Sequence, residues 1–76
     1  MENDKINPKH YFHGEIECID AVEACVDGLN GSIAFCIGNV IKYLWRLDRK
    51  AGESPLDNAK KAKWYLERVI KELERN

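Results

Sequence analysis

Seventy-six residues with 45% hydrophobic and 33% charged side chains suit one globular domain, too short for two and too apolar for a disordered chain. The formal net charge of −1 excludes a bulk electrostatic pull toward DNA or an anionic membrane, and no apolar run approaches the ~20 residues that cross a bilayer. A chain this small is marginal on its own core, so its composition predicts an oligomer.

Residues 1–14 read as an irregular N-terminal hook. Pro8 restricts Asn7 to extended backbone, and Gly14 permits a turn. Residues 15–76 read as an all-α, three-helix bundle, with no strand pattern anywhere. The first helix is predicted from Ile16 to Leu29, because Ile16, Ile19, Val22, Val26 and Leu29 recur at three- and four-residue spacing. The run Gly28-Leu29-Asn30-Gly31 ends it.

The second helix is predicted from a cap at Ser32 to Lys50. Ile33, Ile37, Val40, Ile41, Leu44 and Leu47 line it, and Ala34, Phe35, Cys36 and Trp45 widen its apolar surface. That breadth suits a central helix or one covered by a second subunit. Gly38 inside it costs about 1 kcal/mol relative to Ala, which a close helix crossing or an approaching ligand would explain.

The third helix has the plainest start: Ser54 as cap, Pro55 at the first position and Asp57 three after the cap. It is predicted to run to Leu73, with Ala59, Ala62, Leu66, Val69 and Leu73 as a bundle seam. Glu67 and Lys71 are spaced as a surface ion pair.

Charge is segregated along the chain. Glu15, Glu17, Asp20, Glu23 and Asp27 make the first helix acidic, and Lys42, Arg46, Arg49 and Lys50 make the second basic. The plain structural expectation is that the two attract each other. The three cysteines, Cys18, Cys25 and Cys36, are odd in number and show no CxxC, so they do not form a disulfide framework; Cys18 and Cys25, seven apart on one helical face, read as small buried hydrophobes with reduced thiols. His10 and His13 lie near Cys18 in sequence but lack a paired zinc-ligand motif.

Two constellations carry possible chemistry. Asn39, Lys42, Tyr43 and Arg46 fall at i, i+3, i+4 and i+7 and share one helix face, extended by Arg49 and Lys50. An amide, an ammonium, a ring and a guanidinium in a row suit a phosphorylated ligand; a solvated edge paired to the acidic helix is an equally ready account. Lys61, Trp64 and Tyr65 group at i, i+3 and i+4 and would hold a base beside a phosphate, against the alternative of core aromatics flanked by a snorkelling lysine. Glu17 and Asp20 offer a weak Mg²⁺ pair, better read as an acidic edge. The chain has no P-loop, no Gly-rich dinucleotide loop, no nucleophile motif, no zinc-finger spacing and no recognition-helix signature.

The ordered segments NPKHY, IECIDAVEA, FCIGNVIKYLWR and KKAKWYLERVI resemble the DUF3310 family of small phage-encoded proteins. The family pattern reads NPxHY…G…IExID…F…GNxIKYxxR…K…KAxWYL and covers residues 7–70. It marks Asn7, Pro8, His10, Tyr11, Glu17, Asp20, Gly38, Asn39, Lys42, Tyr43, Arg46, Lys50, Lys61, Trp64 and Tyr65. Asp48 stands where a glycine is common, and Asn58-Ala59 replaces an Asp-Leu pair. The resemblance implies a phage protein in the host bacterial cytoplasm. It also implies kinship with the domain of an oligomeric T7-type phage nucleotide kinase that lacks a P-loop.

The resulting expectation is a nucleotide-binding protein that sequesters a phosphorylated or cyclic nucleotide signal as an anti-defence device. It would use Asn7, His10, Tyr11, Asn39, Lys42, Tyr43, Arg46, Lys50, Lys61, Trp64 and Tyr65 and need no cofactor. The alternatives are a nucleoside monophosphate kinase or, more weakly, a nucleotide pyrophosphohydrolase, with Mg²⁺ on Glu17 and Asp20; a purely structural or protein-binding helical module is the remaining class. In the binding reading, Arg46→Ala is expected to weaken binding at least about tenfold and leave the fold intact.

Overall fold

Gly14 makes the first reversal. Its φ of 62° lets β1 (Phe12–His13) fold back on β2 (Ile16–Glu17), antiparallel, with Phe12 opposite Glu17 and His13 opposite Ile16. Glu15 keeps an ordinary φ, so the two-residue loop has the type II′ pattern with glycine at its first central position. The computed structural model describes residues 12–75; Asn7, His10 and Tyr11 of the expected hook lie outside the described residues. The hairpin corrects the strand-free expectation. Strands of two residues are too short to show alternation in sequence.

The first helix, α1 (Cys18–Val26), starts two residues later than its apolar spacing suggests, because Ile16 and Glu17 are used by β2. It ends before Gly28, whose φ of 81° is left-handed. Cys18 is its one buried residue; Ile16, Ile19 and Leu29 of the expected stripe stay largely exposed.

The second helix, α2 (Gly31–Trp45), is capped by Asn30 and not by Ser32. Asn30 Oδ1 accepts the amide of Ile33 at 3.1 Å, and the Ser32 hydroxyl donates to the same oxygen at 3.3 Å. The helix stops at Trp45, one turn short of the expected Lys50. Beyond it Leu47 bonds back to Leu44 and Arg49 to Arg46, and Gly52 at φ 85° turns the chain. Arg49 Nη1 donates to the Trp45 carbonyl at 3.2 Å, satisfying one orphan acceptor at the helix end.

The third helix, α3 (Pro55–Glu74), starts as expected. Ser54 Oγ accepts the Asp57 amide at 3.0 Å, with Pro55 at the first position. The fold is a small all-α arrangement of three helices, with α2 packed against both others. Ile33 and Cys36 of α2 meet Val69 of α3, with Ile37 and Tyr65 packed on them. Gly38 marks the α1–α2 crossing: a Cβ there would stand 3.3 Å from Val22 Cγ1. Close helix approach is therefore the reason a glycine sits in mid-helix.

Three further expectations change. Ala62 and Val69 of the α3 seam are buried, but Leu66 and Leu73 face outward. Glu67 and Lys71 form no ion pair. Nor do the acids of α1, among the described residues, pair with the cations of α2, which instead turn to Glu53 and Tyr43.

Candidate functional site

The α2–α3 pairing brings four aromatic rings together. Tyr43 stacks on Tyr65, centroids 5.9 Å apart and planes at 18°. Tyr65 also meets Phe35 edge-on at 6.1 Å and Trp64 edge-on at 5.0 Å, so it touches three rings at once. Phe35 lies two turns before Tyr43 on α2, and Trp64 adjoins Tyr65 on α3. Trp64 is 62% exposed, an open ring at the edge of the cluster.

Cations surround the stacked pair. Lys42 Nζ, the Arg46 guanidinium and Lys61 Nζ lie 4.8, 4.9 and 5.5 Å from the Tyr43 ring centroid, all within cation–π range. Glu53, from the α2–α3 turn, ties part of this set together. Arg46 Nε stands 3.3 Å from Oε1 and Nη2 donates to Oε2 at 3.4 Å. The first contact is an ion pair without hydrogen-bond alignment. Lys50 and Lys61 each approach Oε2 at 3.9 Å.

Burial makes these contacts unequal. Arg46 is only 6% exposed, whereas Lys61 is half exposed. Asn58, in the first turn of α3, is fully buried. Its Nδ2 donates to the Leu47 carbonyl at 2.9 Å, fastening the chain beyond α2 to the first turn of α3, and its Oδ1 meets no partner among the described residues. Cys18 approaches from α1. Burial pushes its thiol pKa up, and the positive charges of Lys42 and Arg46 pull it partly back.

The structure thus unites Lys42, Tyr43, Arg46, Lys50, Lys61, Trp64 and Tyr65. It does not place Asn39 as a free donor: Asn39 Nδ2 bonds the Phe35 carbonyl of its own helix at 2.9 Å. Arg46 is corrected as well. It is a buried member of an ion pair and not a solvated edge, so its removal is expected to cost stability as well as any binding. Glu17 is half-buried and Asp20 exposed, and no group of three His, Cys, Asp or Glu side chains suited to a metal occurs among the described residues. Sequence reasoning missed Glu53, Phe35 and Asn58. Glu53 had a signal: it is the one acid between Lys50 and the start of α3.

Four cations and one carboxylate leave this edge of the hairpin positive, beside an exposed indole. That combination suits an anion carrying a flat ring. A shallow groove of about 260 Å³, lined by Trp64, Glu67, Arg68 and Lys71, borders the cluster only at Trp64.

A family sequence model described as "Protein of unknown function (DUF3310)" matches residues 5–67. The chain belongs to this family. Within the DUF3310 match lie every residue of the cationic aromatic cluster and Glu53, which the motif segments do not include. No curated protein and no solved structure matches the chain. No helix among the described residues is long and apolar enough to cross a membrane.

Proposed function

We propose that this DUF3310 protein binds a phosphorylated or cyclic nucleotide and holds it without turnover, acting as a sequestering module in a phage-infected bacterial cytoplasm. The observation that carries the reading is the gathering of Lys42, Lys50 and Lys61 about Tyr43 and Glu53, with the exposed Trp64 joined to Tyr43 through Tyr65. A base stacks on Trp64 while the phosphate reaches the lysine ammonium groups. Arg46 and Glu53 form the buried floor that fixes Tyr43 and the loop. Capture is favoured over phosphoryl transfer because Glu53, the carboxylate in the cluster, is already engaged by three cations. A kinase needs donor and acceptor sites together and carboxylates free to hold Mg²⁺.

The test is a panel of mono-, di-, tri- and cyclic nucleotides, with and without Mg²⁺, titrated by calorimetry, with the nucleotide recovered after denaturation and separated by chromatography. Intact ligand is the expected result. Turnover beyond the protein concentration replaces sequestration with catalysis, and no binding removes both readings. Trp64→Ala and Lys61→Ala are each expected to weaken binding about tenfold or more, the loss of one stacking or one charged contact.

A further inference from the structure

The third helix carries two heptad seams. One faces the core: Asn58, Ala62, Tyr65, Val69 and Glu72, in steps of four and three, are all buried or half-buried. The other is Leu56, Ala59, Lys63, Leu66, Ile70 and Leu73, in unbroken steps of three and four. Its four large side chains stay 44–62% exposed. Meanwhile the buried apolar side chains among the described residues are small or medium: Cys18, Ile33, Cys36, Ala62 and Val69. A seam of period 3.5 with Leu and Ile at its positions is a surface shaped for another helix.

We propose that the occupant is a second copy of this chain, its α3 running antiparallel to the first along the outer seam. Pairing about a two-fold axis between Trp64 and Tyr65 matches all six positions: Leu56 with Leu73, Ala59 with Ile70, and Lys63 with Leu66, whose methyls the lysine stem covers. The charges select this direction. Glu67 and Glu74 border the seam on its outer side, and neither they nor Lys63 form an ion pair among the described residues. Antiparallel, Lys63 falls within a turn of Glu67 of the second copy, twice by symmetry. Glu74 falls level with Pro55, where the helix dipole favours a carboxylate. A parallel pair sets Lys63 level with Lys63 and Glu67 with Glu67.

This seam is centred about half a turn around α3 from Lys61, so the dimer leaves the cationic cluster open and stands independently of the nucleotide reading.

The test is sedimentation equilibrium on the full chain. A dimer is expected at about 100 μM, the range open to a modest helical interface; a monomer there overturns the proposal. Leu66→Glu with Ile70→Glu is expected to raise the dissociation constant at least ~100-fold, because it buries unpaired charge, with helical circular dichroism retained. Should that variant not fold, the charge swap decides. Lys63→Glu and Glu67→Lys chains are each expected to be more monomeric than wild type, and an equimolar mixture to dimerise again; failure of the mixture overturns the pairing. For direction, Leu56→Cys and Leu73→Cys chains in a Cys25→Ser background are mixed and oxidised. A disulfide between unlike chains supports the antiparallel form, and disulfides between like chains only overturn it.

Discussion

Arg46 and Glu53 close the turn between α2 and α3, guanidinium to carboxylate, with Nε 3.3 Å from Oε1 and both side chains largely withdrawn from water. They stand seven positions apart in the chain, and the helix before them stops at Trp45. Removing one partner strands a charge in a poorly solvated place. Glu53→Gln or Arg46→Ala is therefore expected to cost about 2–4 kcal/mol, the usual cost of breaking a buried pair, discounted for the partial exposure of Glu53. Thermal unfolding should report a drop of roughly 10–20 °C. A change below 1 kcal/mol would show that the turn is held by other contacts.

Tyr65 and Trp64 are neighbours with opposite duties. Tyr65 contacts three rings and packs on the core cluster, whereas Trp64 is mostly in solvent. Tyr65→Ala should destabilise by about 2–4 kcal/mol, in the range for truncating a packed aromatic that is not wholly buried. Trp64→Ala should cost less than about 1 kcal/mol. Urea titration of the two variants reads the difference, and equal losses would contradict the division.

Gly38 and Val22 meet across the α1–α2 crossing. Gly38→Ala gains up to about 1 kcal/mol of helix propensity but presses its methyl on Val22 Cγ1, so the net change is expected to stay within about 1 kcal/mol. Gly38→Leu cannot be absorbed and should cost about 2 kcal/mol or more. In a Val22→Ala background the overlap disappears, and Gly38→Ala should become clearly stabilising. If it does not, the crossing is not what keeps this position small.

The thiols differ in access. Cys25 is exposed, and Cys18 and Cys36 are buried. One thiol per chain is expected to react quickly with an aromatic disulfide reagent in the native state, and two only on unfolding. Cys18 has a thiol pKa raised by burial, so the protonated form is the one the fold favours. Its contribution to stability is present below the ordinary thiol pKa and is lost as pH rises through the higher folded value. Rapid modification of Cys18 at neutral pH, followed by peptide mapping, would contradict this placement.

Much of the architecture was legible because its signals are local. Ser54, Pro55 and Asp57 state a helix start outright, and the structure uses all three. The glycine at 38 pointed to a close crossing, and one exists. The end of α2 was not legible, because Leu47 continues the apolar spacing although the helix has already stopped. Past the stop, Arg46 pairs with Glu53 across the turn, a contact that helical spacing does not report. The cap at Asn30 was masked by an equally suitable Ser32 two residues later. Of the candidate site, residue types and helix faces were readable for Lys42, Tyr43, Lys61, Trp64 and Tyr65. Their convergence was not, since it depends on how α2 and α3 rotate against each other. Asn39 and Arg46 misled for one reason: periodicity reports a face but not whether the polar atoms on it are already spent on the protein itself.

The unequal standing of the helices has a consequence for how the molecule breathes. Helix α1 buries Cys18 alone and leans on α2 at the Gly38 crossing, whereas α3 is sewn to the rest by Asn58, Ala62, Val69, the tyrosine stack and the Glu53 contacts. Its amide protons can therefore reach solvent through a partial detachment that leaves the α2–α3 hairpin closed. Slow-exchanging amides would then outline a two-helix kernel, with α1 as a cover that lifts first.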